Sequence, residues 1–283
     1  MGDPMAKEYW YFIAGALVVL LPALLFVTVK KLHLLDAKPD QIIAYANGSG
    51  QAMDLHVFEA RNTEGNIAPA LLLFHGGAWM LGAPRDLHRQ CDFFAAKGIH
   101  CFSAAYQLGP DSGPDVEGAI DDSRAAFDYL LDNAAALAID PARIAVGGGS
   151  AGGHLAAALG AGLPLNRKGL GARRPAALVL YNPMVDLSPC TPDHHLVAGF
   201  WGSVSPLHHV DAMLPSTLLM VGSEDPEVPI ATAETFCATA EAAGAFCELV
   251  IYEGQTHGFF NKPKYLRLTG ERTVEFLSGQ GLL

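Results

Sequence analysis

Residues Gly148-Gly149-Ser150-Ala151-Gly152 join two segments of different character in the middle of the chain. Residues 143–146 before them form a short apolar run typical of a buried strand, and residues 153–159 after them are typical of a helix. A strand, a sharp turn and a helix in this order hold the serine in a strained backbone conformation and lift its hydroxyl off the sheet. A plain glycine-rich turn is the alternative interpretation, and the rest of the chain decides between the two.

Strand-like and helix-like segments alternate along most of the chain. Short apolar or alternating runs predict strands at 41–46, 53–59, 70–74, 99–105, 143–146, 176–181, 216–221 and 246–251. Longer periodic stretches predict helices at 86–97, 115–136, 153–159, 229–243 and after 265. This order predicts an α/β fold with a mostly parallel sheet that is covered by helices on both faces. In such sheets, reactive side chains collect at the carboxyl ends of the strands.

Two side chains that could assist Ser150 follow the last two predicted strands. Asp225 follows the strand at 216–221, and His257 follows the strand at 246–251 in a loop with nearby glycines. A serine nucleophile needs a base, and the base needs an acid that orients it. We therefore predict Ser150, His257 and Asp225 as a catalytic triad. Glu224 is an alternative acid, and a structural role is the alternative for each partner.

The segment His75-Gly76-Gly77-Ala78-Trp79 follows the predicted strand at 70–74. Its glycines permit a backbone path that directs N–H groups into the site, and an oxyanion hole is built from such groups. Gly77 and Ala78 are the predicted donors, together with Ala151 after the nucleophile. His75 is expected to fix this loop by hydrogen bonding. Side chains that could line a substrate pocket are Trp79, Met80, Tyr106, Phe200, Trp201 and Phe259.

These motifs resemble the hormone-sensitive-lipase-like branch of the α/β-hydrolases, the HGGG-type esterases and lipases. They are similar to small bacterial carboxylesterases, some of which resemble acetylxylan and feruloyl esterases. The matching segments are 75–79, 148–155, 205–210, 222–229 and 257–261, and the chain order Ser, Asp, His agrees with them. The resemblance implies an α/β-hydrolase fold and a serine carboxylesterase that forms an acyl-enzyme. The implied substrates are short-chain acyl esters of small molecules or carbohydrates, and no cofactor is implied.

Three features depart from the family pattern. Ala78 replaces the third glycine of the oxyanion motif but keeps its N–H group. Gln107 follows Tyr106 where the family often has arginine, so we do not expect a buried ion pair there. A membrane-type segment precedes the hydrolase core in place of a helical cap, and residues 186–209 are predicted to form a small lid. The membrane-type segment in place of a helical cap predicts an open, shallow acyl pocket.

Two other functions are compatible with the same residues. The triad could cleave amide bonds, as in aryl formamidases or prolyl-peptidase relatives. A catalytically inactive binding protein on the hydrolase fold is the second alternative, and the complete triad argues against it because a binding protein has no use for a strained serine.

Residues 9–29 carry no charged side chain and are long enough to cross the roughly 30 Å core of a bilayer as a helix. Aromatic residues begin this segment, and Lys30 and Lys31 follow it, as expected at membrane interfaces. We predict an anchor and linker at 1–38 and a catalytic domain at 39–283. A cleaved signal peptide is the alternative, which would make the protein secreted or periplasmic. The few lysines do not fix the side of the membrane.

Charge and cysteine content restrict the classes of partner and cofactor. The formal net charge of −11 argues against nucleic acid, which requires a basic surface. The five cysteines form no C-x-x-C pair, and we expect mainly buried free thiols, with a Cys237–Cys247 bridge as the alternative. The pairs His194-His195 and His208-His209 lack a supporting cysteine or carboxylate arrangement, so no metal site is predicted. The oligomeric state is not predicted.

Overall fold

The computed structural model describes residues 37–63, 67–110, 112–163, 173–189 and 191–283. Within these ranges, no helix combines the length and the apolar character that crossing a bilayer requires. The predicted anchor at 9–29 lies outside the described residues, as does most of the predicted linker. The anchor and the domain boundary after residue 38 therefore stay predictions.

A mixed sheet forms the centre of the described chain. Its eight strands are β1 (Gln41–Ala46), β2 (Ala52–Phe58), β3 (Ala68–Phe74), β4 (His100–Ala104), β5 (Ile139–Gly149), β6 (Ala177–Tyr181), β7 (Ser216–Gly222) and β8 (Cys247–Tyr252). They lie in the order β1-β2-β4-β3-β5-β6-β7-β8. The pairs β1–β2 and β2–β4 are antiparallel, and every other neighbouring pair is parallel. This architecture confirms the predicted mostly parallel sheet.

Helices connect the parallel strands. They are α1 (His88–Ala95), α2 (Val116–Asp132), α3 (Ala151–Gly160), α4 (His194–Val197), α5 (Trp201–Val204), α6 (Ile230–Ala242) and α7 (Pro263–Gly279). Short 3₁₀ helices lie at Pro84–Leu87, Pro206–His209 and Phe259–Asn261. Asp115 begins α2 as an N-cap, since its carboxylate accepts a hydrogen bond of 2.9 Å from the N–H of Gly118.

The central strands are buried along the segments that lead to their carboxyl ends. All residues from Leu71 to Phe74 in β3 and all residues of β6 are buried, and the same holds for residues 217–222 of β7. A parallel strand covered on both faces needs such a continuous apolar run, because neither of its faces meets water. Burial of these apolar runs stabilises the strands in the sheet. The polar residues described below follow the carboxyl ends of these strands.

The parallel register brings the carboxyl ends of five strands to one edge of the sheet. Gly149 of β5 pairs with Tyr181 of β6, Tyr181 pairs with Met220 of β7, and Gly222 pairs with Tyr252 of β8. On the other side of β5, Phe74 of β3 pairs with Gly148. The loops that follow these residues therefore meet in one place.

Two disulfide bonds correct the expectation of mainly free thiols. Cys91 of α1 is bonded to Cys101 of β4, and Cys237 of α6 is bonded to Cys247 of β8. In each pair a helix packs against the strand that follows it, which brings the Cα atoms to 5.0 and 5.2 Å, within the range that a disulfide spans. Cys190 lies outside the described residues.

The predicted lid at 186–209 contains short helical turns and no long helix in its described part. It consists of α4, α5 and the 3₁₀ turn Pro206–His209, joined by turns. Ser205 anchors this segment, because its buried hydroxyl accepts a 3.0 Å hydrogen bond from the N–H of Leu187. A role of this segment as a lid stays a prediction.

Candidate active site

Ser150 lies in a sharp turn between β5 and α3. Its backbone angles are φ 56° and ψ −122°, a region that residues with side chains rarely adopt. A Cβ atom on Gly148 or Gly152 would collide with backbone atoms, including the carbonyl oxygen of Phe74. The glycines therefore allow the close strand–helix approach that holds Ser150 in this conformation.

His257 connects Ser150 to Asp225 through a continuous chain of hydrogen bonds. Its Nε2 lies 2.8 Å from Oγ of Ser150. Its Nδ1 lies 2.9 Å from Oδ2 and 3.1 Å from Oδ1 of Asp225. With a proton on Nδ1 donated to the carboxylate, Nε2 presents its lone pair to the hydroxyl of Ser150. The three residues predicted from separate strand ends are thus brought together.

Asp225 is held by its own turn as well as by His257. Its Oδ1 accepts hydrogen bonds of 2.9 Å from the backbone N–H groups of Glu227 and Val228, and its side chain is buried. Burial by itself raises the pKa of this carboxyl, but the hydrogen bonds from His257 and from the two backbone groups outweigh it. The pKa of Asp225 therefore lies below its ordinary value, and the residue stays an anion at neutral pH.

His257 is surrounded by negative charge. Burial by itself lowers the pKa of the imidazole, because a low dielectric disfavours the cation. The hydrogen bond to Asp225 and the charges of Asp225, Glu227 and Asp193 act in the opposite direction and prevail. The pKa of His257 is therefore raised above its ordinary value.

The loop after β3 presents its backbone to the same site. Gly77 has φ 118° and Ala78 has φ 50°, and both residues line the cleft beside Ser150. Among the described residues, no backbone carbonyl in a turn or loop accepts a hydrogen bond from the N–H group of Gly77 or Ala78. Ala151 is the first residue of α3, and N–H groups of a first helical turn have no partner within the helix. In the part of the chain that the structure describes, the N–H groups of the three predicted oxyanion donors are therefore without a backbone acceptor.

His75 stabilises this loop through a hydrogen bond and a stacked ring contact. Its ring is buried, its Nδ1 lies 2.8 Å from the carbonyl oxygen of Gly76, and it stacks on Tyr106 with ring centroids 4.3 Å apart. The hydroxyl of Tyr106 donates a 2.9 Å hydrogen bond to the carbonyl oxygen of His75. Burial lowers the pKa of His75, so the ring is neutral and its Nδ1–H can donate to Gly76.

A cleft of about 500 Å³ opens over Ser150 and His257. Its apolar wall includes Leu81, Leu87, Met184 and Phe260. Asp86, Asp193 and Glu227 also line it, whereas no lysine or arginine is among its described lining residues. In the described ranges, no group of three or more His, Cys, Asp or Glu side chains is arranged to hold a metal ion.

Sequence comparison relates this chain to known esterases. Residues 71–200 match a family described by the α/β-hydrolase fold, and residues 185–273 match the dienelactone hydrolase family. The esterase LipQ of Mycobacterium tuberculosis is 29% identical over 202 residues, which are 64% of this chain and 48% of LipQ. The carboxylesterase NlhH of the same species is 40% identical over 93 residues, which are 32% of this chain and 28% of NlhH. The chain thus spans about half or less of these curated relatives.

Structure comparison covers more of the chain. Esterase 2 of Thermogutta terrifontis in its apo form is 30% identical, with 86% of this chain and 95% of that chain covered and a TM-score of 0.77. The same esterase is known with propionate bound, with butyrate bound and phosphorylated by paraoxon, with TM-scores of 0.75, 0.77 and 0.76. The chain belongs to the α/β-hydrolase esterase family.

The predicted pocket aromatics do not line the cleft of this α/β-hydrolase. Trp79 is fully buried beneath the oxyanion loop, where its Nε1–H donates to Nδ1 of His154 at 3.2 Å. Phe259 packs among Tyr252 and Tyr265. The other members of the predicted set, Met80, Tyr106, Phe200 and Trp201, also lie outside the lining. Hydrophobicity identified these side chains as apolar but could not tell a pocket wall from the core behind it.

His154 explains why Trp79 turns inward. The imidazole is fully buried, and its Nε2–H donates a 2.7 Å hydrogen bond to the carbonyl oxygen of Val204. Burial lowers the pKa of His154 to about 4, so Nδ1 keeps its lone pair and accepts the indole N–H. The indole thereby satisfies its donor inside the protein instead of at the cleft.

Asn182 is a site residue that the sequence analysis missed. It is buried, follows β6 directly and has φ 35°. Its Nδ2 lies 3.4 Å from Nε2 of His257, and its Oδ1 accepts a 3.3 Å hydrogen bond from the N–H of Gly258. Its position after a predicted buried strand, like those of Asp225 and His257, is the signal that could have identified it.

Gln107 uses its polar groups for local structure. Its Nε2 donates a 2.7 Å hydrogen bond to Asp115, the N-cap of α2, and its backbone N–H donates a 2.8 Å hydrogen bond to Asp122. The side-chain amide of Gln107 is thus hydrogen-bonded to the N-cap carboxylate of α2.

Proposed function

We propose that this protein is a serine carboxylesterase that hydrolyses short-chain acyl esters through Ser150, His257 and Asp225. The observation that supports this most strongly is the unbroken hydrogen-bond chain, with Oγ of Ser150 2.8 Å from Nε2 and Oδ2 of Asp225 2.9 Å from Nδ1 of the same imidazole. Each atom has the polarity that its proposed step requires.

In the acylation step, Oγ of Ser150 attacks the ester carbonyl carbon while Nε2 of His257 takes the hydroxyl proton. The carbonyl oxygen becomes an oxyanion, and the N–H groups of Gly77, Ala78 and Ala151 stabilise it. Asp225 stabilises the imidazolium, since its anionic oxygens face Nδ1. Collapse of the tetrahedral species breaks the ester bond, and the imidazolium gives its proton to the departing alcohol.

In the deacylation step, water repeats the attack on the acyl-serine. His257 takes a proton from the water as its oxygen adds to the acyl carbon, and the same oxyanion donors act again. Collapse of this second intermediate breaks the bond to Oγ, and His257 returns the proton to Ser150. The carboxylic acid leaves, and the protein needs no cofactor for either step.

The character of the cleft supports an uncharged ester with a small acyl group. Three carboxylates line it without a lysine or arginine among the described lining residues, so an anionic substrate would be repelled. The related Thermogutta terrifontis esterase 2 is known with propionate and with butyrate bound, and both are short-chain carboxylates. Both small-molecule and carbohydrate esters remain within this proposal.

A fluorophosphonate probe tests the proposed nucleophile. We expect covalent labelling of Ser150 in the wild-type protein and none in Ser150→Ala. The same substitution should reduce kcat for ester hydrolysis by roughly 10⁴-fold or more without loss of the fold, because it removes one hydroxyl oxygen and leaves Cβ and the backbone in place. A variant that kept a tenth of the wild-type activity would place the nucleophile elsewhere.

A comparison of p-nitrophenyl acetate with the corresponding anilide tests the bond type. We expect kcat/KM to be higher for the ester, because an amide carbonyl is less electrophilic than an ester carbonyl and an amine is a poorer leaving group than p-nitrophenolate. A higher value for the anilide would instead support an amide hydrolase on the same residues.

We also propose that residues 9–29 anchor the protein in a bilayer and that residues 39–283 face an oxidising compartment. The Cys91–Cys101 and Cys237–Cys247 bonds support the second part, because disulfides persist in such compartments and are rare in the reducing cytosol. Alkaline extraction of membranes from the native host tests the anchor, and intact chain in the soluble fraction would exclude it.

Thiol alkylation with and without reduction tests the compartment. Free alkylation of the four cysteines of the two disulfides without reduction would exclude an oxidising compartment.

A further inference from the structure

The Nε2 atom of His257 has a second carboxylate beside it. Oε2 of Glu227 lies 3.2 Å from Nε2, and Oγ of Ser150 lies 2.8 Å from the same atom. Asn182 is the third polar neighbour, with Nδ2 3.4 Å away. Asp225 is hydrogen-bonded to the other ring nitrogen, Nδ1, so the imidazole lies between two carboxylates of one short loop.

The three neighbours of Nε2 favour different protonation states. When Nε2 carries a lone pair, the hydroxyl of Ser150 and the amide of Asn182 can each donate to it. The carboxylate of Glu227 has no proton to donate, so it gains a hydrogen bond only after Nε2 has been protonated. In the proposed reaction this occurs from the attack of Ser150 until the alcohol leaves.

We propose that Glu227 is a positioning residue that acts through His257, stabilising the imidazolium during the reaction and setting the lowest pH at which the site works. This inference rests on the proposed esterase function. It assigns no contact with the reacting carbonyl group to Glu227.

The position of Glu227 follows from the turn that holds the acid. Its backbone N–H donates to Oδ1 of Asp225, which fixes the start of its side chain relative to His257. The side chain is 54% exposed, so it contributes little to the core, and a change of its charge should leave the fold intact. The contact with Nε2 is the ion pair that the structure gives this carboxylate.

The charges that face His257 come from two places. Asp225 and Glu227 follow β7, and Asp193 precedes α4. The groups that face the ring from the other strand ends, Ser150 and Asn182, are uncharged. Burial first and then the charge of Glu227 raise the pKa of Asp193 above its ordinary value, so Asp193 becomes neutral at a higher pH than an ordinary aspartate does.

The sign of the pH effect follows from these charges. His257 can act as a base only while Nε2 is unprotonated, so activity disappears as the pH falls through the raised pKa of His257. Glu227→Gln removes one of the anions that raise this pKa. The acidic limb of the pH profile should therefore move to lower pH, and the neutral amide should stabilise the imidazolium less in the transition state.

The test compares Glu227→Gln with Glu224→Gln across the pH profile of kcat/KM for a short-chain ester. Glu224 is exposed, lies in the same loop and is absent from the groups that act on His257, so it is a matched control. We expect the Glu227→Gln limb to move by roughly 0.5 to 1 pH unit toward acid, with the plateau reduced by a few-fold. Glu224→Gln should keep the wild-type limb. Glu227→Asp keeps a carboxylate, so its acidic limb should lie close to that of the wild type. High salt should reduce the difference in the acidic limb between wild type and Glu227→Gln.

A second measurement does not depend on turnover. NMR titration of the His257 imidazole, in Ser150→Ala with and without Glu227→Gln, should show a lower midpoint without the carboxylate. An unmoved limb and an unmoved midpoint would overturn the inference, even if Ser150 is still labelled by the fluorophosphonate. Failure of that labelling would instead overturn the proposed function, and the imidazole titration would still decide whether Glu227 acts on His257.

Discussion

The aromatic ring of Phe260 lies directly over Gly149, the residue that precedes the proposed nucleophile Ser150. A Cβ atom on Gly149 would overlap the outer edge of this ring. Phe260 is in turn stacked on Tyr181 at a centroid distance of 4.9 Å, so it has little room to retreat. Both residues line the cleft. Because Gly149 has no side chain, the ring of Phe260 can lie close to the backbone beside Ser150 and form the wall of the cleft there.

Gly149→Ala should reduce kcat/KM by roughly tenfold to a hundredfold. The reason is that an overpacked site costs about 1 to 3 kcal/mol and the displaced ring would disturb the wall beside Ser150. The measurement is a double-mutant cycle with Phe260→Leu, in which the smaller side chain should restore part of the loss. Strictly additive effects of the two substitutions would show that the ring and the glycine do not interact.

Asp225→Asn should reduce kcat by about 10³- to 10⁴-fold, because an amide donor at this position favours the wrong imidazole tautomer. Glu224→Gln should have little effect, since Glu224 is exposed and Asp225 is the carboxylate in contact with Nδ1. Steady-state kinetics of both variants on one ester give the comparison. Greater sensitivity at Glu224 would refute the choice of Asp225 as the acid.

Asn182→Asp should shift the acidic limb of the pH profile in the direction opposite to Glu227→Gln. The substitution keeps the size of the side chain and the tolerance for positive φ, but it replaces the donor near Nε2 with an acceptor. A further anion would raise the pKa of His257, so activity should begin at a higher pH. A profile unchanged by this substitution would show that the amide does not act on the imidazole.

Activity should be highest on acetyl to butyryl esters and should fall by about C8. A cleft gains roughly 0.8 kcal/mol per methylene group only while it can bury that group. The cleft of about 500 Å³ is walled by Phe260 and Met184 and is shared with the alcohol. The ratio of kcat/KM values across a p-nitrophenyl ester series measures this, and a maximum at C10 or beyond would reveal a deep tunnel.

The strands and helices followed from the sequence because their periodicity is a local property. The predicted strand at 41–46 agrees with β1, and the predicted helix at 229–243 contains α6 (Ile230–Ala242). β5 was longer than predicted, beginning at Ile139 and continuing through Pro141. The register of β3 against β5 shifts near Ala68, an irregularity of the kind at which a strand tolerates proline.

The candidate site could be predicted from sequence where reactive residues follow the ends of predicted strands. Ser150, Asp225 and His257 each follow a predicted strand, so sheet topology alone brings them to the same edge. Glu227 could not be predicted, because its approach to Nε2 depends on the path of the turn after β7 and on side-chain conformation. The aromatic side chains could not be assigned to the pocket or to the core for a related reason, since apolar composition does not determine the depth at which a side chain is buried.

Two backbone hydrogen bonds keep the carboxylate of Asp225 in one orientation, independently of the charge on His257. Oδ1 is held by Glu227 and Val228 whether or not His257 carries a second proton. In the proposed reaction the imidazole gains and loses a proton in each turnover, and the carboxylate that faces it need not reorient. Solvent around a free imidazole would have to reorganise at each of these steps, and the fixed carboxylate removes that part of the barrier.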